Sequence, residues 1–247
     1  MRERSTSNIL YWMVIFTLVI TAKGCGTTQG TAPIKDYSPA PDISTSPDKT
    51  QKKSVGKKQS NSKKINMEVV ETWSKILNSC KRSELHLMSR FYSDNLVKNQ
   101  IIDRFKFFGI SEERIFFYNH LDRKRYLESY NNVDLMLDTF PYPGGTTTCE
   151  SLYMGTPVLV LKGFNFLSRN GENIMANSNL NNFIAKDRDN YVKKAIYFYK
   201  NIKKIDKNVI RKTFFNSSLL NAKSFSKNLE NILIETYNAH YSGRSND

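Results

Sequence analysis

Residues 133–137, Val-Asp-Leu-Met-Leu, form an almost unbroken apolar run that ends in the turn Pro141-Tyr142-Pro143-Gly144-Gly145. A strand without in–out alternation is buried on both faces, and such strands belong to parallel sheets covered by helices. A threonine-rich helical stretch follows at 146–154, closed by Gly155 and Pro157, and then a second apolar run at 157–161. Strand, helix, strand in that order needs a crossover, which is how parallel neighbours are joined. These two runs limit the chain to an α/β architecture.

The flanking sequence fills the architecture out. Val69, Val70, Trp73, Ile76 and Leu77 fall at helical spacing, so 67–79 is a helix with one apolar face, and Trp73 belongs to the core. Residues 84–88 alternate as a strand. A helix over 96–108 stops at Gly109, a reasonable C-cap. Residues 114–118 read as a strand and 123–130 as a short helix. Three helical stretches fill the C-terminal part: 188–203 carries the stripe Tyr191, Val192, Ala195, Ile196, Tyr199, and 222–238 carries Phe225, Leu229, Ile232, Leu233. The expectation is a Rossmann-like domain over 64–241. Its parallel sheet has about four strands (84–88, 114–118, 133–137, 157–161) with helices on both faces, and the long C-terminal helices pack back over it. There is no internal repeat.

Ahead of that domain the texture is different. Residues 5–22 carry no charge between Arg4 and Lys23, and the apolar part, Ile9 to Ala22, is shorter than the ~20 residues that span a bilayer comfortably. With Ala22-Lys23-Gly24-Cys25 behind it, segment 1–25 reads as a lipoprotein-like signal or as an uncleaved membrane anchor. Residues 26–63 are Gly, Thr, Ser, Pro, Asp and Lys with almost no large apolar side chain; they cannot offset their ordering entropy and are expected to be a disordered tether. Residues 242–247 are a short tail. The formal charge is +14, yet residues 1–66 hold 11 basic against 4 acidic side chains while 67–247 hold 26 against 19, so the excess is concentrated at the front. The basic flanks of the apolar segment are balanced, and orientation by the positive-inside rule is undecided. Membrane association is expected either way, with an anchor facing the cytoplasm preferred over an exported lipoprotein. The tail lysines are not interleaved with aromatics, and no nucleic-acid-binding motif is present. Cys25, Cys80 and Cys149 form neither a disulfide framework nor a CxxC site, and with only His86, His120 and His240 a zinc site of His and Cys ligands is not expected. His86 and His120 are read as structural.

In an open parallel sheet, ligands bind beyond the carboxyl ends of the strands. Gly144 and Gly145 allow close approach of backbone to a ligand, and Thr146, Thr147 and Thr148 occupy the first turn of the next helix, where free N–H groups favour an anion. Glu150, one turn in, can accept from a sugar hydroxyl. An ordinary strand–turn–helix with a Thr cap is the competing reading of the same residues.

Taken with Trp73-Ser-Lys-Ile-Leu, Arg114-Ile-Phe-Phe, Met154-Gly-Thr-Pro-Val and Phe166-Leu-Ser-Arg169, the run Leu137-Asp-Thr-Phe-Pro-Tyr-Pro-Gly-Gly-Thr-Thr-Thr148 resembles the C-terminal half of the O-GlcNAc transferase and SPINDLY-type glycosyltransferases. The resemblance spans roughly residues 61–241 and implies one half of a GT-B fold, the half that binds the UDP of a sugar donor without a metal or other cofactor. It implies Lys64 as the catalytic cation at the diphosphate and Asn61 at a neighbouring Gln or Asn position. It also implies Gly144, Gly145, Thr146 and Thr147 at the phosphates and Glu150 at the ribose. Gly145 stands where animal enzymes have His. Tyr126 stands where they have a His that stacks on uracil, its ring keeping that capacity. Arg123 stands where they have Lys. Arg169 matches a recurrent Arg, with a structural role equally open to it.

The resemblance implies a protein O-glycosyltransferase using a UDP-sugar, UDP-GlcNAc above all, with a protein acceptor. The other half of the fold has no counterpart in the sequence, so a partner chain carrying that missing domain is expected. Two alternatives stand beside it: an inactive, membrane-tethered nucleotide-sugar binding module, and a basic tail that holds the chain to acidic lipid.

Overall fold

The fold starts at a cap. The Asn66 Oδ1 accepts the Val69 N–H at 2.9 Å, which opens helix α1 (Met67–Ser79). The expected stripe of α1 is buried, with Val69, Val70, Trp73 and Ile76 wholly inaccessible. The structure is a computed structural model that describes residues 64–119 and 121–242; what the sequence suggests for residues 1–63, Asn61 and the membrane segment among them, for His120 and for 243–247 lies outside the described residues.

After α1 come β1 (Leu85–Met88), α2 (Asn95–Phe107), β2 (Ile115–Tyr118), α3 (Arg123–Ser129), β3 (Met136–Leu137), α4 (Thr146–Tyr153) and β4 (Val158–Leu161). Then follow α5 (Asn170–Asn177), β5 (Ile184–Ala185), α6 (Arg188–Lys200), α7 (Lys207–Phe215) and α8 (Ala222–Ser242). Every ladder is parallel: β1 pairs with β2 in the register Leu85↔Ile115, β3 with β4 as Met136↔Val158, and β4 with β5 as Val160↔Ile184. The Rossmann-like α/β class expected from the sequence is the one observed.

Four details differ from expectation. The strands form a two-stranded sheet, β1–β2, and a three-stranded sheet, β3–β4–β5, rather than one sheet of four. The fifth strand is two residues long, too short to leave a periodic trace. The run 133–137 narrows to Met136–Leu137 as a ladder because the Val133 N–H closes a turn on the Tyr130 carbonyl at 3.1 Å. The run is nonetheless core throughout its apolar positions, with Val133, Leu135, Met136 and Leu137 all buried.

The fourth difference concerns the C-terminal helices. Helix α6 packs as expected, burying Tyr191, Ala195 and Phe198, and lies against α1, β4 and β5. Helix α8 does not pack back over the sheet: Phe225, Leu229, Ile232 and Leu233 are all exposed, Phe225 at 66%. The place over the sheet is taken by α6. Among the described residues no helix is long and apolar enough to cross a membrane.

Candidate functional site

Where β3 ends, the chain must turn sharply to enter α4, and one buried side chain organises that turn. The Asp138 Oδ1 accepts the N–H of Thr139 at 2.8 Å and of Gly144 at 2.7 Å, folding residues 138–144 around a single oxygen. The Thr139 hydroxyl donates to the Tyr142 carbonyl at 2.6 Å. The Phe140–Pro141 peptide within the turn is cis. The Tyr191 hydroxyl of α6 donates to the Asp138 carbonyl at 2.9 Å, so the core helix holds the same point.

Two further elements grip the turn from outside. Asn66, the cap of α1, donates its side-chain amide to the Phe140 carbonyl at 3.0 Å, and Lys64 reaches the Pro143 carbonyl at 3.4 Å. From the other side, Asn170 at the start of α5 donates to the Gly144 carbonyl at 3.1 Å. Gly144 is required by close approach, since a Cβ there would stand 2.6 and 2.7 Å from the Oγ1 atoms of Thr147 and Thr148.

Burial pushes the Asp138 carboxyl up from its ordinary 3.8 to about 6, against the opposing pull of the Gly144 N–H, the Lys64 ammonium and the Thr139 N–H. Among the described residues its Oδ2 has no hydrogen-bond partner, and neither has the buried Thr148 Oγ1. A buried carboxylate is costly, and here it is placed where it shapes the backbone that leads into α4.

Helix α4 begins at Gly145 without a side-chain cap, and the leading N–H groups of any helix lack partners inside the helix. Thr146 is exposed at this end, whereas Thr147 and Thr148 are buried with their hydroxyls against Gly144. The result is an uncapped, positive helix end with the Lys64 ammonium beside the turn that precedes it.

One turn further along α4 lies a second group. Both oxygens of Glu150 are engaged: Oε1 by the Arg123 guanidinium at 2.5 Å and Oε2 by the Tyr126 hydroxyl at 2.7 Å. The Tyr126 hydroxyl also meets that of Tyr130 at 2.5 Å. Tyr126 is 4% exposed, with the Tyr130 ring edge-on to it and the Arg123 guanidinium 5.7 Å from its centroid. Its ring is therefore a packed member of this network rather than an open platform.

The residues singled out from the sequence thus gather at two points of α4. Lys64, Gly144, Gly145, Thr146 and Thr147 lie at its start, and Arg123, Tyr126 and Glu150 one turn in. Asn61 lies outside the described residues. Arg169 precedes α5 and pairs with Glu172 at 3.0 Å. His86 sits on β1 between the Tyr118 hydroxyl at 2.9 Å and Glu84 at 3.3 Å, and Trp73 is core. Sequence reasoning does not single out Asp138, Asn66 or Asn170. An acidic residue directly after a buried apolar run, ahead of a Pro/Gly turn, is the signal that could have found the first.

Comparison with known proteins bears on this geometry. A family model described as Glycosyl transferase family 41 matches residues 58–229. The chain is similar to a probable UDP-N-acetylglucosamine–peptide N-acetylglucosaminyltransferase SPINDLY of Solanum lycopersicum, 28% identical over 180 residues. That alignment covers 70% of this chain and 19% of the relative. It is also similar to the UDP-N-acetylglucosamine–peptide N-acetylglucosaminyltransferase of Caenorhabditis elegans, 24% identical over 184 residues, covering 73% and 16% respectively. Among solved structures, a mutant of Thermobaculum terrenum O-GlcNAc transferase superposes with a TM-score of 0.63 at 26% identity, covering 67% of this chain and 32% of that one. The chain therefore spans less than a fifth of the length of these two curated relatives.

Proposed function

The chain belongs to glycosyl transferase family 41, and on that premise we propose that it is the donor-binding half of a protein O-glycosyltransferase that uses a UDP-sugar, UDP-GlcNAc in first place. The observation that carries this reading is the uncapped start of α4 behind the Gly144-Gly145 turn, with Lys64 tied to that turn. A diphosphate fits there: it accepts from the free N–H groups and from the exposed Thr146 hydroxyl, and it is neutralised by Lys64. Glu150 then faces the nucleoside end, with Tyr126 packed beneath it. The printed names of the relatives agree with such a donor.

In transfer, the acceptor hydroxyl oxygen bonds to the anomeric carbon as that carbon's bond to the diphosphate oxygen breaks. Negative charge gathers on the departing diphosphate. Lys64 and the α4 helix end stabilise that charge, and fixed dipoles aimed at developing charge are the largest contribution a site of this kind makes. The hydroxyl proton passes to a base outside these residues, which is the reason for proposing that a second domain or partner chain completes the cleft and holds the protein acceptor. A nucleotide sugar is a cytoplasmic metabolite, so we place the domain on that side of any membrane its N-terminal segment meets.

The test is calorimetry of the chain with UDP and UDP-GlcNAc. Saturable binding that is lost in Lys64→Ala supports the site. No binding of either ligand by the folded chain defeats it.

A further inference from the structure

Arg123 is a member of the site that lies over its own partner, the carboxylate proposed to meet the ligand. On the first turn of α3 its two neighbours are paired within their own helix region, Lys124 with Glu128 and Arg125 with Asp122. Arg123 instead reaches across to another element, where it occupies Glu150. The side chain of Glu150 is 12% exposed and that of Arg123 is 66% exposed, so the guanidinium covers the side from which a sugar hydroxyl would approach the carboxylate. The other partner cannot withdraw, because Tyr126 is buried and bonded to Tyr130.

We infer that Arg123 is a specificity-determining residue that changes partners, leaving Glu150 for the donor's diphosphate and thereby opening Glu150 to the nucleoside's hydroxyls. The inference rests on the proposed donor site. The distance suits it: Thr146 and Glu150 are four residues apart on α4, about 6 Å along the axis at helical rise, so a guanidinium that meets Glu150 has one helical turn to travel. The energetics suit it as well. An ion pair that solvent reaches is cheap to break, whereas a guanidinium meets phosphate oxygens through paired, charge-assisted donors.

The two ends of the donor are then read jointly. The diphosphate draws Arg123 away and the ribose gains an acceptor. A nucleoside without phosphates has to displace Arg123 unaided, so the site discriminates against it, and by linkage each end strengthens the other.

The experiment compares wild type with Arg123→Ala, using calorimetry for UDP and ligand-observed NMR titration for uridine, with thermal melts confirming that both chains fold. Arg123→Ala lowers UDP affinity by about tenfold to a hundredfold, as removal of one charge-assisted hydrogen bond does, and raises uridine affinity at least about twofold, since the nucleoside no longer displaces a guanidinium. Glu150→Gln, which loosens the hold on Arg123 while keeping an acceptor, narrows the ratio of UDP to uridine affinity. Opposite movement of the two ligands in Arg123→Ala cannot come from a merely structural role. If UDP and uridine weaken together, or uridine shows no gain in the variant, the exchange is overturned while the donor site stands. If wild type binds neither ligand, the donor site itself has failed.

Discussion

The two groups on α4 are built in opposite ways. At its start the turn is anchored from several sides: Asp138 below, Asn66 and Asn170 on either side, Tyr191 behind. One turn in, a surface ion pair is laid over a buried tyrosine pair. The first is rigid because its hydrogen bonds come from elements far apart in the chain, and no single motion releases them. The second can rearrange because its charged partner is held by one ion pair in reach of water. In the donor site proposed above, the phosphate end would then be fixed and the adjustment would fall to the nucleoside end.

Asp138→Ala strikes the rigid half and has the largest expected effect. It leaves two backbone N–H groups without their acceptor in a buried place, so denaturant unfolding at neutral pH should show a loss of about 2 kcal/mol or more, and UDP binding should be abolished. Equal UDP affinity in a folded Asp138→Ala chain would show that the turn does not depend on this anchor. Replacing Thr146 by Val removes the exposed hydroxyl without disturbing the anchors. Calorimetry should then give about fivefold to a hundredfold weaker UDP, at roughly 1–3 kcal/mol for the hydroxyl hydrogen bond removed.

A finer probe of the rigid half is pH. The folded-state pKa of Asp138 lies at about 6, above its ordinary 3.8, so the folded chain holds this proton more tightly than the unfolded one. The contribution to stability is fully present below about pH 4 and is lost as pH rises through about 6. The difference in unfolding free energy between wild type and Asp138→Asn, measured from about pH 4 to 7, should therefore shift in favour of Asn as pH rises. A flat difference would contradict the raised value. The smallest effect belongs to the adjustable half. Arg123→Ala should change unfolding stability by less than about 1 kcal/mol, in contrast to Asp138→Ala. A larger loss would mean that the ion pair is an anchor after all.

Much of this arrangement is legible in the sequence because burial of single elements is a local property. The run at 133–137 carries its burial on both faces in its own composition, and the stripe of α1 is complete. What is not legible depends on distant partners. Asn66 caps α1 locally, yet its second bond goes to a carbonyl 74 residues away. Asn170 has no local signature for its bond to Gly144. Strand β5 is two residues long and offers no period. From sequence Tyr126 reads as a ring free to stack, and only the tertiary position of Glu150 and Tyr130 explains why it is enclosed. The stripes of α6 and α8 look alike in sequence, and periodicity predicts an apolar face without saying what it meets.

That last point gives α8 an unexpected use. A helix of 21 residues whose side chains stay exposed among the described residues lies near the helix–coil boundary in water, whereas the sheet and α6 are packed into the core. Its backbone amides should therefore exchange with solvent through local fraying, orders of magnitude faster than those of β4, and on a clock of their own. Anything that covers the Phe225–Leu229–Ile232 stripe would slow that clock without touching the core's, so deuterium uptake along 222–242 reads out a covering surface directly, before the covering molecule has been identified.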